Sequence, residues 1–139
     1  MNGKSFVDTN VLIYAHDATQ GEKYERALFL VKSLWRTGAG VLSTQVLQEF
    51  AFTLRRKIRP PLSLDNTLLR VEPYLSWEIV VNTGQSVIAA LDIEDRYKIS
   101  FWDALIVQAA QVAQVDVLYS EDLNDGQVFG SVRVVNPVI

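Results

Sequence analysis

Apolar residues along this chain gather in short blocks whose spacing switches between a strand period and a helix period. Ser5 to Asp8 reads as a short apolar strand, and Val11 to His16 continues as a helical turn. From Glu22 to Trp35, the residues Ala27, Leu28, Val31, Leu34 and Trp35 recur at helical spacing. Thr37-Gly38-Ala39-Gly40 interrupts that pattern before a second strand at Val41-Leu42-Ser43. Ser43 or Thr44 can cap the next helix, which carries Val46, Leu47, Phe50, Ala51 and Leu54 on its apolar face. Pro60-Pro61 stops it. A helix is expected over Ser63 to Leu75, with Leu64, Leu68, Leu69 and Val71 to one side, then a third strand at Glu78 to Val81. Another helix spans Ser86 to Tyr97. Ser100 to Val115 is almost uninterrupted in its apolar character, which predicts a helix buried on most sides. Val117 to Tyr119 and Val132 to Val135 are the last strands.

This alternation predicts a three-layer α/β/α arrangement, with helices on both faces of a mostly parallel sheet of four or five short strands. Ligands in such folds sit outside the carboxyl ends of the strands. No repeat, linker or low-complexity stretch divides the chain, so residues 1–139 read as a single domain able to bury a substantial core.

Composition narrows the chemistry. With 49% hydrophobic and 21% charged residues the chain is globular rather than disordered. It has no cysteine and one histidine, His16, which excludes thiolate and multi-histidine zinc sites. A bound metal would be a hard cation held by oxygen, with Mg2+ or Mn2+ the natural candidates. No apolar run reaches membrane-spanning length, and Met1-Asn2-Gly3-Lys4 leads directly into the first strand without room for a signal peptide. A cytoplasmic protein is expected.

Four acids stand where apolar segments meet polar ones: Asp8, Glu49, Asp103 and Asp122. Each has a plain structural explanation. Asp8 suits a helix N-cap. Glu49 falls at the margin of its helix's apolar face, where an exposed acid is ordinary. Asp103 follows Ser100 as in a weak capping box and suits the helix dipole. Asp122 lies in a polar turn. Two observations favour a shared role. Asp8 and Asp122 follow strands, where sites form in this architecture, and Asp103 sits between Trp102 and Ala104 in a strongly apolar helix. Converging carboxylates raise one another's pKa unless a cation neutralises them.

The order of these acids, together with Val7-Asp8-Thr9-Asn10-Val11-Leu12, Trp102-Asp103-Ala104 and Ser120-Glu121-Asp122-Leu123-Asn124, resembles the PIN domain family of small metal-dependent ribonucleases, in particular its VapC-like toxin branch. The resemblance spans essentially the whole chain. It implies that Asp8, Glu49, Asp103 and Asp122 are the family's acidic quartet, with Asp8, Asp103 and Asp122 ligating the metal directly or through water. Thr9, Asn10 and Ser120 become supporting polar residues, and Asp125 an outer one. It further implies an RNA substrate cut by metal-activated water, a homodimer, and a small antitoxin protein that covers the cleft.

The formal net charge is −3, and removing the four clustered acids leaves +1 for the rest, a balance compatible with RNA. Arg55, Arg56, Lys57 and Arg59 are candidate RNA-facing cations, although cations at a helix C-terminus also serve the dipole. Tyr14, His16, Tyr97 and Lys98 are further candidates at the rim, His16 reading as a surface or capping residue. Glu121 is expected to be solvated. Two rivals remain. A haloacid-dehalogenase-like phosphatase would need Asp where this chain has Asn10. A PIN-like module that binds RNA or protein without cutting would be expected to have lost acids of the quartet.

Overall fold

The structure, a computed structural model, describes residues 3–139. Met1 and Asn2, on which the expected direct entry into the first strand partly rests, lie outside the described residues. The strands are β1 (Ser5–Val7), β2 (Gly40–Ser43), β3 (Glu78–Val80), β4 (Val117–Tyr119), β5 (Val128–Phe129) and β6 (Val132–Val135). The helices are α1 (Thr9–Tyr14), α2 (Glu22–Thr37), α3 (Thr44–Arg56), α4 (Leu64–Val71), α5 (Gly84–Tyr97) and α6 (Phe101–Val112). Among the described residues no helix is long and apolar enough to cross a membrane.

One sheet holds all six strands in the order β3-β2-β1-β4-β6-β5, parallel except where β5 pairs with β6. The expected four or five strands thus become six. The additional β5 is two residues long, joined to β6 through Gly130 at φ 63°, and too short to show a period in sequence. The chain runs outward from β1 through β2 to β3 and then returns to the other side of β1 with β4. The order therefore reverses between β1 and β4, and the crevice at their carboxyl ends is the expected place for a site.

The core explains why the strands read as continuous apolar runs: Phe6, Val7, Val41, Leu42, Leu118 and Val134 are fully buried between helices. α1 packs on α2 and α3, α3 on α4, and α5 pairs with α6. The Ser43 hydroxyl accepts from the Val46 N–H, so of the two expected caps Ser43 is the one that starts α3. α3 ends at Arg56, ahead of Pro60. α4 stops at Val71 and tightens into a 3-10 turn over Glu72–Ser76 around Pro73. Its leucines do not form a buried face, since Leu64, Leu68 and Leu69 are exposed and Thr67 is the buried residue. In α6 every residue from Ala104 to Ala110 is buried, while Trp102 and Val112 at its ends face solvent.

Gly40 has a specific reason to be glycine. A Cβ there would press into the ring of Trp77, which is itself held against Trp35 and Tyr74.

Candidate active site

Asp8 is the first residue after β1 and the N-cap of α1, with φ −72° and ψ 159°. It is 5% exposed. One carboxylate oxygen accepts from the Thr9 N–H at 2.7 Å and the other from the Ser120 hydroxyl at 2.9 Å. Its own N–H donates to the Tyr119 carbonyl, joining the ends of β1 and β4. The plain reading of Asp8 as a cap therefore holds, and the same residue lines the cleft described below.

Ser120, fully buried, links the two strand ends. Its hydroxyl donates to Asp8 and accepts the Asp122 N–H at 3.2 Å. Asp122 projects from the loop after β4, where the Asn10 amide donates to both of its oxygens at 3.3 and 3.2 Å. Thr9 donates its hydroxyl to Glu49 at 2.6 Å, fixing a carboxylate carried by the middle of α3. Asp103 lies in the first turn of α6, its N–H accepted by the Ser100 hydroxyl at 3.1 Å, which is the serine half of the anticipated capping box.

All four acids line one cleft of about 630 Å³, together with Thr9, Asn10 and Lys57. α3 forms one wall through Gln45, Gln48, Glu49, Phe52 and Thr53, a stripe at helical spacing beside the core stripe of Val46, Phe50 and Leu54. α6 contributes Trp102, Asp103 and Ile106. Sequence reasoning missed this second stripe on α3, although its spacing and its position beside Glu49 were there to find.

Other candidates lie elsewhere. Of the basic cluster only Lys57 lines the cleft, whereas Arg55, Arg56 and Arg59 are exposed outside it. Asp125 accepts from the Asn136 N–H at 2.8 Å and braces a turn away from the cleft. Tyr97 packs edge-on against Phe129, and Lys98 caps α5 in a left-handed conformation beside Asp95. His16 is half-buried and engaged: its Nε2 lies 2.7 Å from the Tyr74 hydroxyl and its ring packs on Phe50 and Tyr74. Glu121 is not free in solvent, because it pairs with Lys23 and accepts from the Tyr14 hydroxyl at 2.6 Å.

Electrostatics at the cleft follow from burial and crowding. Burial pushes Asp8 from 3.8 up to about 7, against the lowering effect of its Thr9 and Ser120 hydrogen bonds, and Asp122 and Asp103 push it further. No cation is among the influences on it. Asp122 is also raised, first by partial desolvation, then by Asp103 and Glu121, with the Asn10 amide working the other way.

Such a floor favours a cation. Among the described residues, however, no group of three or more carboxylate or imidazole side chains is gathered closely enough to hold a metal by itself. The donor chemistry fits a hard divalent ion that keeps several waters and takes one or two carboxylates, as magnesium does, better than one that needs an all-protein cage.

The PIN domain family model matches residues 5–125, a span that contains all four acids. No curated protein sequence matches the chain. Similar solved structures include Mycobacterium tuberculosis VapC20, described as a sarcin-ricin loop cleaving toxin. It is 21% identical, with 94% of this chain and 99% of that one covered, and the TM-score is 0.69. At that identity the likeness is one of fold. The family match reaches from β1 into the loop beyond Asp122, and on that evidence the chain belongs to the PIN domain family.

Proposed function

We propose that this chain is a metal-dependent endoribonuclease and the toxin of a toxin–antitoxin pair. One observation carries the reading: Asp8, Glu49, Asp103 and Asp122 line one cleft, with Asp8 buried at its floor and its carboxyl raised by burial and then by Asp122 and Asp103. Asp8, Asp103 and Asp122 would hold Mg2+ or Mn2+, directly or through water. Such an ion, when bound, would lower the pKa of a water and offset charge developing on the phosphoryl oxygens.

The chain's own residues set the geometry. The Thr9 N–H and Ser120 hydroxyl fix the Asp8 carboxylate, and the Asn10 amide fixes Asp122. Thr9 holds Glu49, which would orient the attacking water. Water attack at phosphorus leaves 5′-phosphate and 3′-hydroxyl ends and uses no 2′-hydroxyl, so selection of RNA rests on shape and contacts in the cleft.

The toxin role draws its support from the resemblance of the acidic motifs to the VapC-like branch, and the shared fold with a VapC toxin agrees with it. A homodimer, a cognate antitoxin and work in the cytoplasm belong to the same reading. A cation of the antitoxin entering among the acids would compete with the metal on charge alone.

A second reading, a PIN-like module that binds RNA or protein without cutting, is favoured by the absence of a ready three-ligand nest among the described residues. One assay separates the two: incubate the protein with mixed RNAs, with magnesium or manganese or with chelator, and map the ends. Cleavage that needs metal and disappears in Asp8→Asn and Asp103→Asn is expected. Intact RNA across all divalent metals would refute the nuclease.

A further inference from the structure

Two large aromatic side chains stand in solvent on the cleft that holds the acids. Phe52 is 56% exposed and Trp102 64%. Trp35, Phe50, Tyr74 and Trp77 meet ring to ring and Tyr97 lies against Phe129, whereas Phe29 is exposed on α2 away from the cleft and Trp102 meets Phe101 edge-on, leaving most of its own ring in solvent. Phe52 rises from α3 about one turn beyond Glu49, and Trp102 immediately precedes Asp103 on α6. Each wall of the cleft thus sets an aromatic face beside one of its acids.

Two residues adjoin those faces. The Gln45 side chain, 7% exposed on the same wall, donates its Nε2 to the Trp102 carbonyl at 3.3 Å. That acceptor excludes the flipped amide, leaving Oε1 buried and without a partner. Oε1 is enclosed by protein, so Gln45 ties α3 to α6 beside Trp102 and offers the cleft no acceptor. Lys57 lies in the same cleft, its Nζ 5.9 Å from the centre of the Phe52 ring. It stands about 12 Å beyond Glu49 along the helix direction. Its side chain reaches back toward Phe52, where it can meet a phosphate of a strand lying along the cleft.

We propose that Phe52 and Trp102 are stacking platforms for bases of the RNA beside the cut, with Lys57 holding a further phosphate. The proposal rests on the nuclease reading above and names residues that set its specificity. Aromatic faces and a cation together fit a nucleotide, whereas an apolar peptide would use only the first. A base in a helix has both faces covered, so the nucleotides selected here are unstacked ones.

The test uses full-length protein carrying Asp8→Asn, which binds without cutting, and a short fluorescent RNA in magnesium. Trp102→Ala and Phe52→Ala should each weaken binding about tenfold or more, the size of one base–aromatic stack. Trp102→Phe should restore most of it. An RNA abasic at the stacked nucleotide should lose a similar factor against the Asp8→Asn protein and no further factor against the added Trp102→Ala. Unchanged affinity in both alanine variants, or the same abasic penalty with and without Trp102, overturns the platforms. Binding with the stacking signature but no cleavage by the parent would remove the nuclease and keep the platforms. Cleavage by the parent with unaltered KM in both alanine variants would do the reverse. Capture of a protein partner through these rings, with no RNA bound, overturns the proposal.

Discussion

Asp8→Asn should stabilise the metal-free protein at neutral and alkaline pH, even as it abolishes cleavage. In the folded chain this carboxyl titrates at about 7, against 3.8 for the ordinary group, because burial and the neighbouring acids disfavour its charge. Below pH 3.8 the group is protonated in both states and contributes no pH dependence. Between 3.8 and 7 the unfolded carboxyl ionises first, so folding must take up a proton and stability falls as pH rises. Above 7 the full penalty is in place, about 4 kcal/mol at 1.36 kcal/mol per pH unit. That is a large share of a typical domain's stability. Asn keeps the size, can accept from the Thr9 N–H and can donate to Ser120, so the variant loses the penalty and little else. Urea denaturation in chelator, at intervals from pH 5 to pH 8, reads this directly. The variant's advantage should grow with pH to a few kcal/mol, with a rise in Tm of about 10 °C at pH 8. Saturating magnesium should raise the parent's Tm and leave the variant's nearly unchanged. An advantage equal at pH 5 and pH 8, or a variant less stable than the parent at pH 8, would refute the reasoning.

His16 should give the opposite pH dependence. Burial, assisted by Arg70, lowers it from 6.5 to about 4, so the stability it protects is complete above 6.5 and is lost as pH falls toward 4, by about 3 kcal/mol. His16→Gln should lose less stability than the parent between pH 7 and pH 4.5 in urea titrations, and equal losses would contradict the assignment. Gly40→Ala should cost about 1–3 kcal/mol through overpacking, because the added methyl meets a Trp77 ring wedged between Trp35 and Tyr74. A variant with the parent's urea midpoint would show that the ring can retreat.

What the sequence could reveal was set by the range of the physics involved. Strand ends and helix faces are local, so β1, α3, α6 and β4 could be read from periodicity, and Asp8 and Ser120 could be placed where β1 and β4 finish. β5 escaped because two residues carry no period. The leucines of α4 share one side as their spacing implies, but spacing does not show whether anything covers that side, and Leu64, Leu68 and Leu69 are exposed. The contacts of Glu121 and His16 escaped for a related cause. Lys23 and Tyr14, the partners of Glu121, lie about a hundred positions away in the chain, and Tyr74 lies 58 positions from His16. The basic run ending α3 divides according to which side chains face the cleft, and at the helix's last turn that depends on the exit path, which leaves Lys57 alone inside.

The braces among the acids account for their spacing. Thr9 holds Glu49, Asn10 holds Asp122, and Ser120 holds Asp8, so in each case a neutral group on one element fixes an acid on another. Hydrogen bonds of this kind stabilise ionised carboxylates without drawing them together. Thr9 and Asn10 both belong to the first turn of α1, a six-residue helix that could not persist alone and is pinned by the buried Val11 and Leu12. The alignment of two acids therefore depends on core packing beneath α1, and carboxylates held apart in this way leave room for an ion that retains its own water.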